Sequence, residues 1–491
     1  MEISCPSAWT SLSGYMEYEL SALNTLIMLA KASFIVAVSL MNFGVTLVGH
    51  RSPSKAHSAS WSGGSGRCDG PGSDVLPTLG QRAPATSDEA SPSIGDVNLA
   101  AMRRANCLAF SFTNTGSSRV LDGRLRGTHT PVIPVANRDA KEVLPVRCPA
   151  VKELMFVEAG RVEWTHRPQP ELTDPAGVLV RPTAVARCDL DLPMAKVGLF
   201  PGPFPVGHET VAEVIAVGGQ VTNTRPGDKV LVPFQVSCGQ CARCRSGKYA
   251  ACELYSAPLG AMFGFGHSGG DHGGSLADVL FVPDADHMLI QAPRSLPDVG
   301  LAMLTDNAVD AYRSVGPPLA AFPGADVLIA AATPGSIALY ATALAVALGA
   351  GSVRYVDRNP RRVDVARELG ADAYLQQGPW PAQFDTAEVT VDVTAEPDGL
   401  ATVLRSTEPY GTCTSVAVYF SPTTPMPLLD MYTHGVTFNT SRVDARRYLP
   451  DLVDLVEEER FNPLDVPTTV IEWDDAPRAW LDPAIKLVVR R

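Results

Sequence analysis

The chain is short of positive charge. Of its 491 residues, 40 are Lys or Arg against 52 Asp or Glu, a formal net charge of −12. A protein that acidic has no general field with which to hold a phosphate backbone, so nucleic acid is excluded as the expected partner. Cysteine is scarce as well. Ten thiols in this length are too few for a disulfide scaffold, and four of them crowd between Cys238 and Cys252, which points to metal in a reducing compartment and a cytoplasmic address. A secretory n-region and cleavage site are also missing.

What is present is long enough for two to four domains, with 45 % apolar residues to build their cores. Leu20 to Val48 is almost wholly apolar and of bilayer-spanning length, interrupted by Lys31, Asn24 and Asn42. Glu17 and Glu19 precede it and Arg51 and Lys55 follow, so insertion would anchor the chain with everything downstream in the cytoplasm. Residues 51–150 are rich in Ser, Gly, Pro and Arg without sustained periodicity, and the simpler expectation is a largely disordered extension over 1–150. That stretch holds 13 basic and 11 acidic residues, so the acidic excess lies downstream. From Met155 strand-like alternation begins and runs, broken by Gly and Pro, to about Pro293. After Phe322 the pattern becomes apolar strand, helix, apolar strand: ADVLIAAA, SIALYATALAVALGA, SVRYVD, RRVDVARELGA. This predicts βαβ units in a parallel sheet, extended by VTVDVT and TCTSVAVY.

The sharpest motif is Cys238-x-x-Cys241-x-x-Cys244 with Cys252 beyond it. Four thiolates suit one tetrahedral Zn²⁺ and leave no open position, so this site is expected to be structural. A second set is dispersed: Cys188, His208 with Glu209 beside it, and Asp306. A thiolate, an imidazole and a carboxylate make a three-ligand catalytic zinc site. Taken singly, each has a plainer role, as a small buried hydrophobe, a turn histidine and a helix cap. The third motif is the turn Thr333-Pro-Gly335-Ser336-Ile337-Ala338, a degraded G-x-G-x-x-G with Asp357 at the end of the next strand. Such a turn and carboxylate bind a pyrophosphate and an adenosine ribose, although a βαβ unit without nucleotide fits the pattern too.

Cys188-x-x-Asp191, Gly207-His208-Glu209, Gly227-Asp228-x-Val230, the four-cysteine lobe and then a βαβ unit, in that order, resemble the zinc-dependent alcohol dehydrogenases of the medium-chain dehydrogenase/reductase superfamily. The resemblance runs from about Met155 to Arg491. It implies an α/β fold: a GroES-like β-rich catalytic domain over 151–296, a doubly wound Rossmann domain over 297–435, and a C-terminal return to the catalytic domain over 436–491. It implies Cys188, His208 and Asp306 as catalytic zinc ligands, Glu209 as an alternate ligand, and Asp191 as the carboxylate orienting the imidazole. It makes Thr333, Gly335, Ser336, Ile337, Asp357 and Arg358 the coenzyme-binding positions. The expected function is hydride transfer between an alcohol and NAD, with NADP disfavoured by Asp357, by an enzyme carrying two zinc ions in a homo-oligomer. Two departures stand out. Leu190 replaces the hydroxyl residue that relays the alcohol proton, leaving Asp189 or water to substitute, and Thr333 replaces the first glycine. They motivate the alternative of a non-catalytic relative that binds a small ligand or partner.

Overall fold

The computed structural model describes residues 150–333 and 335–491. The extension read at 1–150, apart from Ala150, and the apolar run 20–48 lie outside the described residues. The first two strands, β1 (Ala150–Glu158) and β2 (Arg161–Pro168), form an antiparallel hairpin. It turns over Ala159-Gly160, and Gly160 takes the positive φ of 77° that such a short connection demands. Next come β3 (Val178–Arg187), the short β4 (Phe204–Pro205) on the edge of β1, β5 (Glu209–Val217), β6 (Lys229–Val232), β7 (Leu280–Val282) and β8 (Ile290–Gln291). β3, β5 and β6 pair antiparallel in turn. Their alternation sends Val178, Val180, Ala212, Val214, Val230 and Val232 into one core.

The second half is built on β9 (Val327–Ala331), β10 (Val353–Asp357), β11 (Asp372–Leu375), β12 (Ala387–Val393), β13 (Thr407–Ser415) and β14 (Thr437–Thr440). All six are parallel, in the order β11-β10-β9-β12-β13-β14. This is the doubly wound Rossmann arrangement, and every residue of β9 is buried because helices cover both faces. The strand order reverses between β9 and β12, and a crevice at the carboxyl ends of strands at such a reversal is where α/β sheets take ligands. β14 pairs with β13, so the parallel sheet takes its last strand from beyond residue 435: the alternation there is too short to separate one domain's last strand from the next domain's first.

Past β14, the amphipathic helix Ala445–Glu457 buries Leu449, Leu452, Val453, Leu455 and Val456. The chain then adds β15 (Thr468–Glu472) and β16 (Lys486–Arg490) to the first domain's sheet, with β16 antiparallel to β3. The register sets Leu487 opposite Arg187, which brings Lys486 beside the end of β3. Among the described residues no helix is long and apolar enough to cross a membrane.

Candidate active site

Three loops meet where β3 ends and β5 begins. Cys188 follows the last residue of β3, Asp191 opens the helix Asp191–Val197, and His208 immediately precedes β5. Asp306 comes from the π-helical turn Leu304–Ala308 that leads into the helix Val309–Ala321. The hydroxyl of Thr305 in that turn accepts the Thr210 amide at 2.8 Å, which pins the turn to β5. The candidate ligand atoms of Cys188, His208 and Asp306 all lie within 4.8 Å of one another. His208 Nε2 faces Asp306 Oδ2 at 3.3 Å, and Nδ1 faces Asp191 Oδ1 at 3.7 Å. Nδ1 and Asp191 Oδ1 are both buried without a hydrogen-bond partner. An imidazole that presents Nε2 to a metal and directs its Nδ1–H at a carboxylate has this arrangement. The rings of Phe234 and Phe265 pack on His208 with centroids 5.0 and 5.1 Å away.

The charge of the site argues in the same direction. Burial pushes the Cys188 thiol well up, and the nearby carboxylates of Asp306, Asp191 and Glu209 push it further. Burial alone would lower His208, but Asp191 and Asp306 outweigh it and hold the imidazole at about 9. Asp306, which burial would raise, is held below the usual carboxylate range by its hydrogen bond with His208. Three carboxylates and a thiol are thus gathered in a dry site around one imidazole and one lysine. Buried acids in such excess call for a cation, and a soft thiolate with imidazole and carboxylate suits Zn²⁺ with one position left open.

Glu209 is turned elsewhere. Both of its oxygens accept from Lys486 Nζ, at 2.6 and 2.8 Å, with each side chain fully buried. Adjacent positions of an extended chain point to opposite sides, so His208 and Glu209 serve different neighbours and the expected alternate ligand is an ion-pair partner in this structure. Burial raises Glu209 to about 8 against the opposing pull of Lys486. Lys486 Nζ also donates to Asn307 Oδ1 at 2.6 Å, and Asn307 Nδ2 lies 3.5 Å from Cys188 Sγ. Neither Lys486 nor Asn307 was expected from the sequence. The one available signal was a lysine in the otherwise apolar strand run AIKLVV.

The four-cysteine lobe fits a metal quantitatively. Cys238 Sγ lies 3.9 Å from Cys244 Sγ and 3.6 Å from Cys252 Sγ, and the four sulfurs lie within 4.8 Å of one another. A tetrahedron with Zn–S bonds of about 2.3 Å has edges of about 3.8 Å. Amides of Glu253 and Cys244 point at Cys241 Sγ, each at 3.4 Å, and bring that thiol down to about 6. These donors stabilise thiolate, the form that binds metal.

The expected coenzyme positions are arranged less simply. Asp357 is fully buried at the end of β10, and its carboxylate is saturated. Arg362 donates to both oxygens at 2.7 Å, the Asn359 amide to Oδ1 at 2.8 Å, and the Tyr355 hydroxyl to Oδ2. A ribose diol has no free lone pair there unless Arg362 moves. Arg358 pairs bidentately with Glu396 at 2.9 and 3.0 Å and lies over the Trp380 ring at 4.7 Å. Thr333 is exposed. The amides of Ser336 and Ile337 open the helix Ser336–Ala347, and both donate to Asp189 Oδ2, at 2.9 and 3.2 Å. The fold also brings the Arg362 side chain against Gly335.

Comparison with known proteins identifies the two domains. The family model for the alcohol dehydrogenase GroES-like domain matches residues 174–294, and that for zinc-binding dehydrogenases matches 336–458. The zinc-type alcohol dehydrogenase B of Aspergillus flavus is 27 % identical over 333 residues, spanning 63 % of this chain and 73 % of that one. The alcohol dehydrogenase TADH from Thermus sp. ATN1 superposes with a TM-score of 0.62 at 26 % identity, over 69 % of this chain and 99 % of its own. The acetophenone reductase of Geotrichum candidum in complex with NAD shares the fold, with a TM-score of 0.59 at 22 % identity over 70 % of this chain and 97 % of its own. The dispersed Cys-His-Asp cluster, the four-sulfur lobe and the two matched domains converge, and the chain belongs to the zinc-dependent alcohol dehydrogenase family of the medium-chain dehydrogenase/reductase superfamily.

Proposed function

We propose that this chain is an oxidoreductase that transfers a hydride between a small-molecule alcohol and NAD, converting the alcohol to an aldehyde or ketone, with one catalytic and one structural zinc. The observation that carries the reading is the buried Cys188-His208-Asp306 cluster, three ligands with one position to spare. A zinc ion held by these three residues would supply Lewis-acid polarisation of the substrate oxygen, and a bound nicotinamide would supply the hydride acceptor. The chain's own groups prepare the cluster: Asp191 orients His208, and Lys486 holds Glu209 and Asn307 in place. Leu190 carries no proton, and Asp189 is committed to Ser336 and Ile337. While Asp189 holds those amides, release of the alcohol proton falls to water.

The coenzyme reading rests on the crevice at the β9/β12 reversal and on the carboxylate of Asp357 at the end of β10. The pairing of Arg362 with Asp357 favours NADP as the second reading, because it neutralises the carboxylate that would repel a 2′-phosphate. Fluorescence titration of the full chain with NADH and NADPH separates the two. Saturable binding with NADH the tighter supports the proposal, and a preference for NADPH selects the second. If zinc is present and neither nucleotide binds, the dehydrogenase reading is lost to that of a non-catalytic ligand binder.

A homo-oligomer in a reducing, cytoplasmic compartment goes with this reading. Among the described residues β14 ends the parallel sheet with one side open, and the adjoining helix Leu428–His434 leaves Leu428, Leu429 and Tyr432 exposed, with Tyr410 beside them. An unprotected strand edge beside apolar side chains suits a second copy across a two-fold axis. Light scattering is expected to give twice the 52.1 kDa of one chain, and Leu429→Glu to give the monomer. A monomeric parent protein would sink this assignment.

A further inference from the structure

The helix Ser336–Ala347 begins after Gly335, which has no side chain with which to cap it. Its cap comes instead from the other domain, across 147 residues of sequence. Asp189 Oδ2 accepts the Ser336 and Ile337 amides at 2.9 and 3.2 Å, and Oδ1 accepts the Ser336 hydroxyl at 2.8 Å. Free amides at the start of a helix bind a phosphate group, and here a carboxylate of the chain already holds them. A second observation concerns the floor of the same turn. The Arg362 side chain lies against Gly335 so closely that a Cβ on that residue would stand 2.7 Å from Arg362 Cδ and 2.8 Å from Nη1. Arg362 is fixed there by Asp357 and by the Ala332 carbonyl at 2.6 Å. Two amides, a hydroxyl and a guanidinium are the parts of a phosphate site, and Asp189 stands among them in the place of the anion.

We propose that Asp189 is the resident competitor of the coenzyme's pyrophosphate: it must swing away before the dinucleotide binds, and so it sets the affinity for phosphate-bearing ligands. This rests on the dinucleotide reading above. Asp189 directly follows Cys188 and its amide lies 3.3 Å from Asn307 Oδ1, so its departure takes place beside a zinc ligand. A neutral residue that can still cap the helix removes the competing charge and keeps the helix start.

The test uses the full chain and its variants Asp189→Asn and Asp189→Ser, each matched to the parent in zinc content and circular dichroism. Calorimetry with ADP-ribose and with adenosine, and fluorescence titration with NADH, give the affinities. Both variants are expected to bind ADP-ribose and NADH at least about tenfold more tightly, the worth of one charge-assisted hydrogen bond, and adenosine no more tightly than the parent. If the parent binds NADH and neither variant gains, the inference is overturned and the dehydrogenase reading stands. If adenosine gains as much as ADP-ribose, the substitution has merely opened the cleft, which also overturns it. If neither parent nor variants bind NADH or ADP-ribose, the inference and the dinucleotide reading fall together.

Discussion

Replacing Cys188 or Asp306 by Ala is expected to lower kcat/KM on the best alcohol of a screen by about 10³-fold or more, because Lewis-acid stabilisation worth several kcal/mol disappears with the metal. Zinc is expected to fall from about two ions per chain to about one. The fold is expected to survive. Asp306→Ala takes a carboxylate out of a site where Asp306 raises the cost of ionising Asp191, Glu209 and Cys188, and Cys188→Ala removes a thiol that burial keeps neutral without metal, so neither metal-free variant carries more buried negative charge than the metal-free parent. Turnover, metal analysis and thermal unfolding on the same samples check this. Full activity in both variants would refute the zinc assignment.

The opposite pattern is expected for Cys244→Ser in the lobe. Here the other zinc is lost, and the damage is to stability. Among the described residues, Cys238, Cys244 and Cys252 are themselves the core of the lobe, joined by Cys241, Tyr249 and Tyr255. Its regular structure amounts to the four-residue turn of helix Ala242–Arg245 and the three-residue turn Tyr249–Ala251. So little apolar surface cannot hold a loop against its conformational entropy, and loss of the metal is expected to cost about 4 kcal/mol or more. Limited proteolysis should cut first between Cys238 and Cys252, and thermal unfolding should shift down. An unchanged midpoint with two zinc ions retained would dismiss a structural metal there.

Parts of this site could be read directly and parts could not, for reasons visible in single residues. The lobe was legible because its four ligands lie within fifteen residues, where local chain geometry alone brings sulfurs together. The βαβ pattern was legible because strands buried on both faces read as continuous apolar runs, as VLIAA does. Cys188, His208 and Asp306 could be joined only through their order along the chain and the resemblance it carries, since 98 residues separate the imidazole from the carboxylate. Lys486, 277 residues from Glu209, gave almost no local signal. Asp357 was legible as the acid ending β10, but its saturation by Arg362, Tyr355 and Asn359 was not.

The sequence by itself determined the fold class, the four-cysteine lobe as a candidate metal site and the residue types of the candidate catalytic cluster. These follow from periodicity, from ligand spacing and from the order of motifs, all carried by the chain as a string. Only the tertiary structure decided which charges are free. Pairing β16 with β3 delivered Lys486 to Glu209, and packing the Cys188 loop on the start of helix Ser336–Ala347 delivered Asp189 to its amides. A buried charge is defined by its nearest partner in space, and folding brings that partner from far along the chain.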